Sequence, residues 1–384
     1  MTSGRSSELE MTVSEQVVRT EPVKQIAKRI VSECLRVKTD EQVAIYSYPH
    51  TLDYASSVAL EVEKAGGVSN MILETDDFFW GYLTEVPEAQ YLRRQRAFLS
   101  LLEETDAQVA LGGPKDPAGF GRVSGERLSK MFEGEREIGD RIRELKIRNL
   151  NLPIGLITQE RAKTYGIDYN HWKSSFNNAL NVDYQKISSL GSTIARKLEK
   201  ARNVHLTSTN GTDLKFNLSK ERPVHIHDGV IDEKDRAQGN LEEGLPAGTV
   251  EVAPDETSVE GKIVFDQPTA MRGKMLQGLR WEFQKGHLVS FNATGNLDVF
   301  KGLYDEAKGD KDKLADLAIG LNPAAELIGF FNDRIVLGTA SVGIGGNKSM
   351  GGVNDSQFGH EQTIRKPTIE LDGQRLIVDG RIQA

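Results

Sequence analysis

The feature that most constrains the fold is a change of texture near residue 182. Before it, apolar runs alternate with amphipathic stretches; after it, short β-branched runs follow one another between turn dipeptides. Val23 to Val37 repeats aliphatic residues at helical spacing, and Val43 to Tyr46 reads as a strand. Asp53 to Ala65 follows as a helix, and Val68 to Leu73 as a strand after Gly66-Gly67. That is a βαβ unit. Further runs at Ala107–Leu111 and Leu152–Ile157 lie on either side of a charged helical stretch around Glu133 to Glu144. Strands alternating with helices predict an α/β, Rossmann-like domain with a mostly parallel sheet covered on both faces. No Gly-x-Gly-x-x-Gly follows the first strand, so the order brings no dinucleotide site with it.

Asp183 to Ala201 predicts an amphipathic bridging helix, with Ile187, Leu190, Ile194 and Leu198 on one stripe and Asp183 as N-cap. Short strands are predicted beyond it at Val204–Thr207, Leu214–Leu218, Val224–His227, Gly248–Ala253, Lys262–Phe265, His287–Phe291, Ile335–Leu337 and Ile369–Leu371. Asn210-Gly211, Asp228-Gly229, Asp372-Gly373 and Asp379-Gly380 supply turns. At 384 residues the chain exceeds the size, roughly 250–300 residues, at which one core stops growing. The expected organisation is a Rossmann-like domain over residues 1–182 and a β-rich α+β domain over residues 183–384 that carries the site.

A formal net charge of −8, with basic residues spread rather than striped, argues against nucleic acid or an anionic membrane as partner. No run approaches the ~20 apolar residues that span a bilayer. The first ten residues lack the order of a secretory signal and read as a short tail. Cys34 is the single cysteine, which excludes an internal disulfide and suits a reducing cytoplasm. It lies at helical spacing with Ile26 and Ile30 and reads as buried core.

Candidate chemistry concentrates late in the chain. His360, with Glu361 and Gln362, follows a glycine-rich polar segment unsuited to a core, which makes it a candidate ligand or acid/base. Asp316 sits near the end of a helix-like run before Gly320. Glu251 lies between Val250 and Val252 on a predicted strand and shares a face with Thr249; an outward carboxylate and a metal ligand are both compatible with that pattern. His225 and His227 also share a face, read as solvent-facing alternation ahead of metal binding. Gly-x-Ser-x-Gly, Walker and His-Glu-x-x-His motifs are absent.

The segments Asn181–Tyr184, Asn210–Leu214, Gly239-Asn240, Leu245–Gly248, Ala253-Pro254, Gly320–Pro323, Gly338-Thr339, Gly351–Asn354 and Lys366–Thr368 before Asp372-Gly373 occur in one order. In them the chain resembles the M29 metallopeptidases, the thermophilic aminopeptidase family, with a related branch of iron-dependent dihydroxypyridine dioxygenases. The resemblance implies a homodimer and a divalent-metal centre (Zn, Co, Mn or Fe) acting on a small molecule or short peptide. Carried over by position, the family's ligands fall on Thr249, Asp316, Ser341, His360 and Gln362, and its assisting tyrosine near Lys348. Glu251, about 6.6 Å beyond Thr249 along the same face, is the substitute carboxylate. Three readings follow. One is a peptidase-like metallohydrolase with a single ion on His360 and Asp316, with Glu251 as a further candidate ligand and Lys348 or Glu361 handling protons. The others are a mononuclear iron oxygenase and a metal-free enzyme or binding protein.

Overall fold

A computed structural model describes residues 22–383. The tail read at the start of the sequence lies outside the described residues. The first helix runs from residue 22 and ends in a π-helical turn, Ile30–Cys34, that buries Cys34 among Ile30, Val31 and Leu35. Burial pushes the thiol's pKa up, as befits an inert core cysteine.

Five parallel strands form the first sheet, in the spatial order Val68–Leu73, Gln42–Ser47, Ala107–Ala110, Arg148–Asn151, Glu242–Gly244. Its fifth strand is contributed from far down the chain. The predicted strand at Leu152–Ile157 is displaced: the strand ends at Asn151, and Pro153–Leu156 is a 3-10 turn. Pro153 has no N–H for a ladder, whereas the N–H of Gly155 donates to the Leu111 carbonyl at 2.9 Å and turns the segment at the carboxyl ends of the strands. The true strand was masked by its polarity, because it carries Arg148, buried to 2% exposure and paired with Glu41 at 2.6 Å.

The rest of the described chain is built mainly on two antiparallel sheets, with a further small two-stranded ribbon, Thr269–Met271 with Lys274–Leu276. One has eight strands, ordered His287–Asn292, Arg280–Gln284, Glu260–Val264, Asp213–Asn217, Asn203–Thr207, Thr368–Leu371, Gln374–Val378, Arg381–Ile382. The other has five: Gly359–Ile364, Ala340–Gly345, Leu314–Gly320, Thr249–Val252, Val224–His227. A single apolar core draws side chains from both sheets and from the helix Tyr184–Lys200. Asp183 caps that helix as predicted, accepting from the N–H groups of Gln185 and Lys186. The hairpin between Thr368–Leu371 and Gln374–Val378 turns at Asp372-Gly373, both at positive φ (49° and 81°), which the right-handed twist of the strands requires. An α/β part with a parallel sheet and a β-rich part is therefore the observed fold class.

Two predicted elements change type. Asp316 lies within the strand Leu314–Gly320, not near a helix end; every residue of this central strand is buried, so it shows no alternation to read. Ile335–Leu337 is not a strand either. Asp333, 4% exposed, accepts from the N–H groups of Ile328 and Gly329 and winds Phe331–Ile335 into a 3-10 turn; the strand begins later, at Ala340.

Asn322 fastens the two parts together. It is fully buried, donates to the carbonyls of Ala179 (3.0 Å) and Ala247 (2.9 Å), and accepts from the N–H groups of Ala324 and Ala325. Asn322→Ala strands two buried carbonyls, an expected loss of about 2–4 kcal/mol that should lower the melting temperature. An unchanged melting temperature would show that the link contributes nothing.

Candidate metal centre

Strand alternation on the five-stranded sheet decides what faces the cleft. Val250, Val252, Val342 and Ile344 enter the apolar core, so their neighbours His225, His227, Thr249, Glu251, Ser341 and Gly343 turn to the opposite side. A register shift between Leu314 and Asp316 sets Asp316 opposite Gly343, and Glu361 pairs with Gly343 from the other flank. Gly343 leaves room for this arrangement, since a Cβ built there would force the Asp316 carboxylate aside.

Glu251, Asp316 and Glu361 consequently converge, offering one carboxylate oxygen each within 4.8 Å of one another. They sit at the floor of a cleft of about 840 Å³ whose walls include Asn149 and Asn151 of the parallel sheet. Glu251 and Asp316 are nearly fully buried, at 6% and 3% exposure. Arg334 reaches in from its 3-10 turn, placing Nη2 2.6 Å from Glu251 Oε2 and Nε 3.2 Å from Glu361 Oε1. On the other side, His227 Nε2 lies 3.2 Å from Glu251 Oε2 and its Nδ1 lies 3.1 Å from Glu243 Oε1. Glu243, which stands on the fifth strand of the parallel sheet, also accepts from the Gly229 N–H at 2.9 Å. The result is a chain of alternating charge from Glu243 through His227, Glu251 and Arg334 to Glu361.

Crowding of like charge shapes the ionisation. Burial and the charges of Glu361 and Glu251 raise Asp316 well above the usual carboxylate range, against the pull of Arg334. Glu361 is raised by burial and by Glu251. Burial acts to raise Glu251 as well, but Arg334 and His227 overcome it and hold this carboxylate low. Burial opposes the His227 imidazolium, yet Glu243 and Glu251 outweigh it, and the pKa rises to about 10. Glu243 itself is pushed up to about 7 by burial, opposed by His227.

Among the five residues singled out from sequence, the fold gathers Glu251, Asp316 and Glu361 and leaves out the other two. His360 precedes Glu361 on a strand, so its ring turns to the opposite face and packs edge-on against Phe300 (5.2 Å) and Trp281 (5.9 Å). Burial there lowers its pKa to about 4. The carboxylate that reaches the cluster is instead that of its neighbour, Glu361. Lys348 is a rim residue, its side chain 59% exposed and its ammonium 2.9 Å from Asp355, so the proton-transfer role expected of it has no geometric support. The positions implied by resemblance at Ser341 and Gln362 are likewise occupied otherwise: Ser341 Oγ lies 2.8 Å from Thr363 Oγ1, and Gln362 donates to the Gln267 carbonyl at 2.6 Å.

Arg334, Glu243 and the inward direction of His227 had no local signature. Only the His225/His227 pair, with period two on one strand, could have signalled the site, and it reads equally as solvent-facing alternation. His225 is 5% exposed, lines the cleft, and among the described residues has no hydrogen-bond partner for either ring nitrogen. Three converging carboxylates beside such an unpartnered imidazole are a donor set suited to a divalent cation, rich in the oxygen ligands that harder ions prefer.

A two-part α/β and antiparallel protein with a buried carboxylate cluster in a cleft has a donor set that could serve a metal-dependent enzyme. The profile of the thermophilic metalloprotease (M29) family matches residues 19–327, and the chain belongs to that family. Its fold is similar to that of wild-type AmpT from Thermus thermophilus, with a TM-score of 0.71 at 16% identity, covering 94% of this chain and 99% of that one. It is also similar to 2,5-dihydroxypyridine dioxygenase from Pseudomonas putida KT2440, with a TM-score of 0.61 at 14% identity and coverage of 94% and 97%. No curated protein sequence gives a significant match.

The raised pKa of His227 predicts a pH signature in chelator-treated protein. Its charged form contributes stability that is fully present below the unfolded pKa, about 6.5, and is lost as pH rises through about 10. The melting-temperature gap between wild type and His227→Gln should therefore be widest below pH 6.5 and close above pH 10. A gap independent of pH would refute the charge assignment.

Proposed function

We propose that the chain is a metal-dependent hydrolase of aminopeptidase type, in which Glu251, Asp316 and Glu361 hold a divalent ion and short peptides occupy the cleft. The observation that carries this reading is the convergence of those three carboxylates on the cleft floor. A bound ion of this kind polarises a peptide carbonyl and makes a water acidic enough to act as nucleophile near neutral pH. The oxygen-rich donor set favours Mn-like ions over zinc. Glu361 is half-buried and reaches the cleft, so it can accept a proton from an attacking water and return it to the leaving amine. Glu251 is the poorer base, because Arg334 and His227 hold it ionised. A cleft of about 840 Å³ accommodates a short peptide and no folded protein chain.

A second reading has one observation in its favour. His225 lies opposite Glu251 on the same sheet face with both ring nitrogens unpartnered among the described residues, and imidazole and carboxylate are donor types of ferrous oxygenase centres. Oxygen uptake dependent on ferrous ion, without peptide cleavage, would select it.

Purified protein loaded with Mn²⁺ should release the terminal amino acid from leucine-anilide and short peptides, and chelation should abolish the release. Asp316→Asn and Glu361→Gln should each lower turnover by about 10²-fold or more, whereas His360→Ala and Lys348→Ala, off the carboxylate face, should stay within about 3-fold. Loss of activity in the Lys348 or His360 variants with the carboxylate variants unaffected would place the chemistry elsewhere.

A further inference from the structure

Arg334 stands where a buried carboxylate cluster would otherwise need a cation. Its Nη2 lies 2.6 Å from the same Glu251 oxygen, Oε2, that His227 approaches, and its Nε lies 3.2 Å from Glu361 Oε1. One guanidinium thus spans two of the three carboxylates that could share ions. This is no loosely held surface arginine. The turn that delivers it is fixed by Asp333, which accepts from the N–H groups of Ile328 (2.7 Å) and Gly329 (2.9 Å) and from Gln267 Nε2 (2.6 Å). Glu251, its main partner, is also held through the same oxygen by His227.

We infer that the guanidinium of Arg334 is a built-in replacement for one metal ion, so that the centre accepts a single divalent cation and excludes a second. The inference rests on the metal-dependent reading above and specifies its ion count. Charge balance supports it. His227 and Glu243 neutralise one another as a pair. Three carboxylates then face one permanent positive charge, because arginine does not deprotonate in proteins. One divalent ion makes that group neutral. A second would leave two uncompensated positive charges in a site where two of the carboxylates are nearly fully buried, a heavily penalised state. Occupancy points the same way: ions bind carboxylate oxygens at about 2.0–2.6 Å, a range the Arg334 nitrogen already enters on Glu251. The unpartnered imidazole of His225, on the strand position opposite Glu251, is the independent sign that a ligand belongs in this cavity.

The test uses Mn²⁺ alone as probe, on the full chain, with stoichiometry by equilibrium dialysis and the spin state by electron paramagnetic resonance. Wild type should bind about one ion per chain and give the spectrum of an isolated Mn²⁺. Arg334→Ala should bind about two, with the exchange-coupled spectrum of ions about 3.5–4 Å apart, and Arg334→Lys, which keeps the charge, should return to about one. Arg334→Gln, neutral and nearly as long, replaces the alanine variant if that protein does not stay folded. Two ions in wild type, or one in both neutral variants, would overturn the inference while leaving metal dependence intact. No ion in wild type would overturn both.

Discussion

Three carboxylates held against one another and away from water repel, and the rest of the centre is organised around offsetting that repulsion. Glu251 is the pivot. Arg334 and His227 both meet its Oε2, Asp316 and Glu361 crowd it, and Glu243 anchors His227 from the parallel sheet. Burial and the neighbouring acids push the Asp316 carboxyl up, whereas burial of Glu251 is overcome by the two cationic groups beside it, Arg334 and His227, which hold that carboxylate low. Glu243 is the only one of these groups that stands on the parallel sheet, so that sheet must be in place for the chain of charges to be complete.

The five-stranded sheet performs two tasks with opposite chemistry. One face packs Val250, Val252, Leu317, Ile319, Val342 and Ile344 into the shared core; the other presents His225, Glu251, Asp316 and Glu361 to the cleft. Period-two alternation alone separates these roles, so a shift of one residue would bury the acids and expose the core. Two local departures refine the outcome: the irregular register before Asp316 and the missing side chain at Gly343. Membership of the thermophilic metalloprotease family fits this frame, although of the ligand positions that resemblance implied, His360 and Gln362 turn to the core face and Thr249 and Ser341 bring hydroxyls, not carboxylates, to the cleft side.

The legible parts of the chain were those governed by neighbours in sequence. The opening βαβ unit, the helix capped by Asp183, the strand Val224–His227 and the Asp372-Gly373 turn all follow from spacing, capping and φ preference. Errors fell where long-range burial overrides such signals. Leu314–Gly320 is apolar on both faces and therefore has no strand period, and Arg148–Asn151 is a strand that looks too polar until Glu41 is seen against Arg148. His360 and Glu361 show the limit at its sharpest. Both were plausible ligands by composition, and only the pairing of their strand with Ala340–Gly345 tells which of the two faces the cleft.

By itself, then, the sequence determined the order and class of the elements, because helical and strand periods, caps and glycine turns act over a few residues. It also supplied Glu251, Asp316 and Glu361 as candidate acids. What only the tertiary structure decided is that they meet, that His360 and Lys348 do not join them, and that Arg334 and His227 do. These groups lie up to 134 positions apart, between His227 and Glu361, and their approach depends on sheet register and on burial energy, which no local pattern encodes.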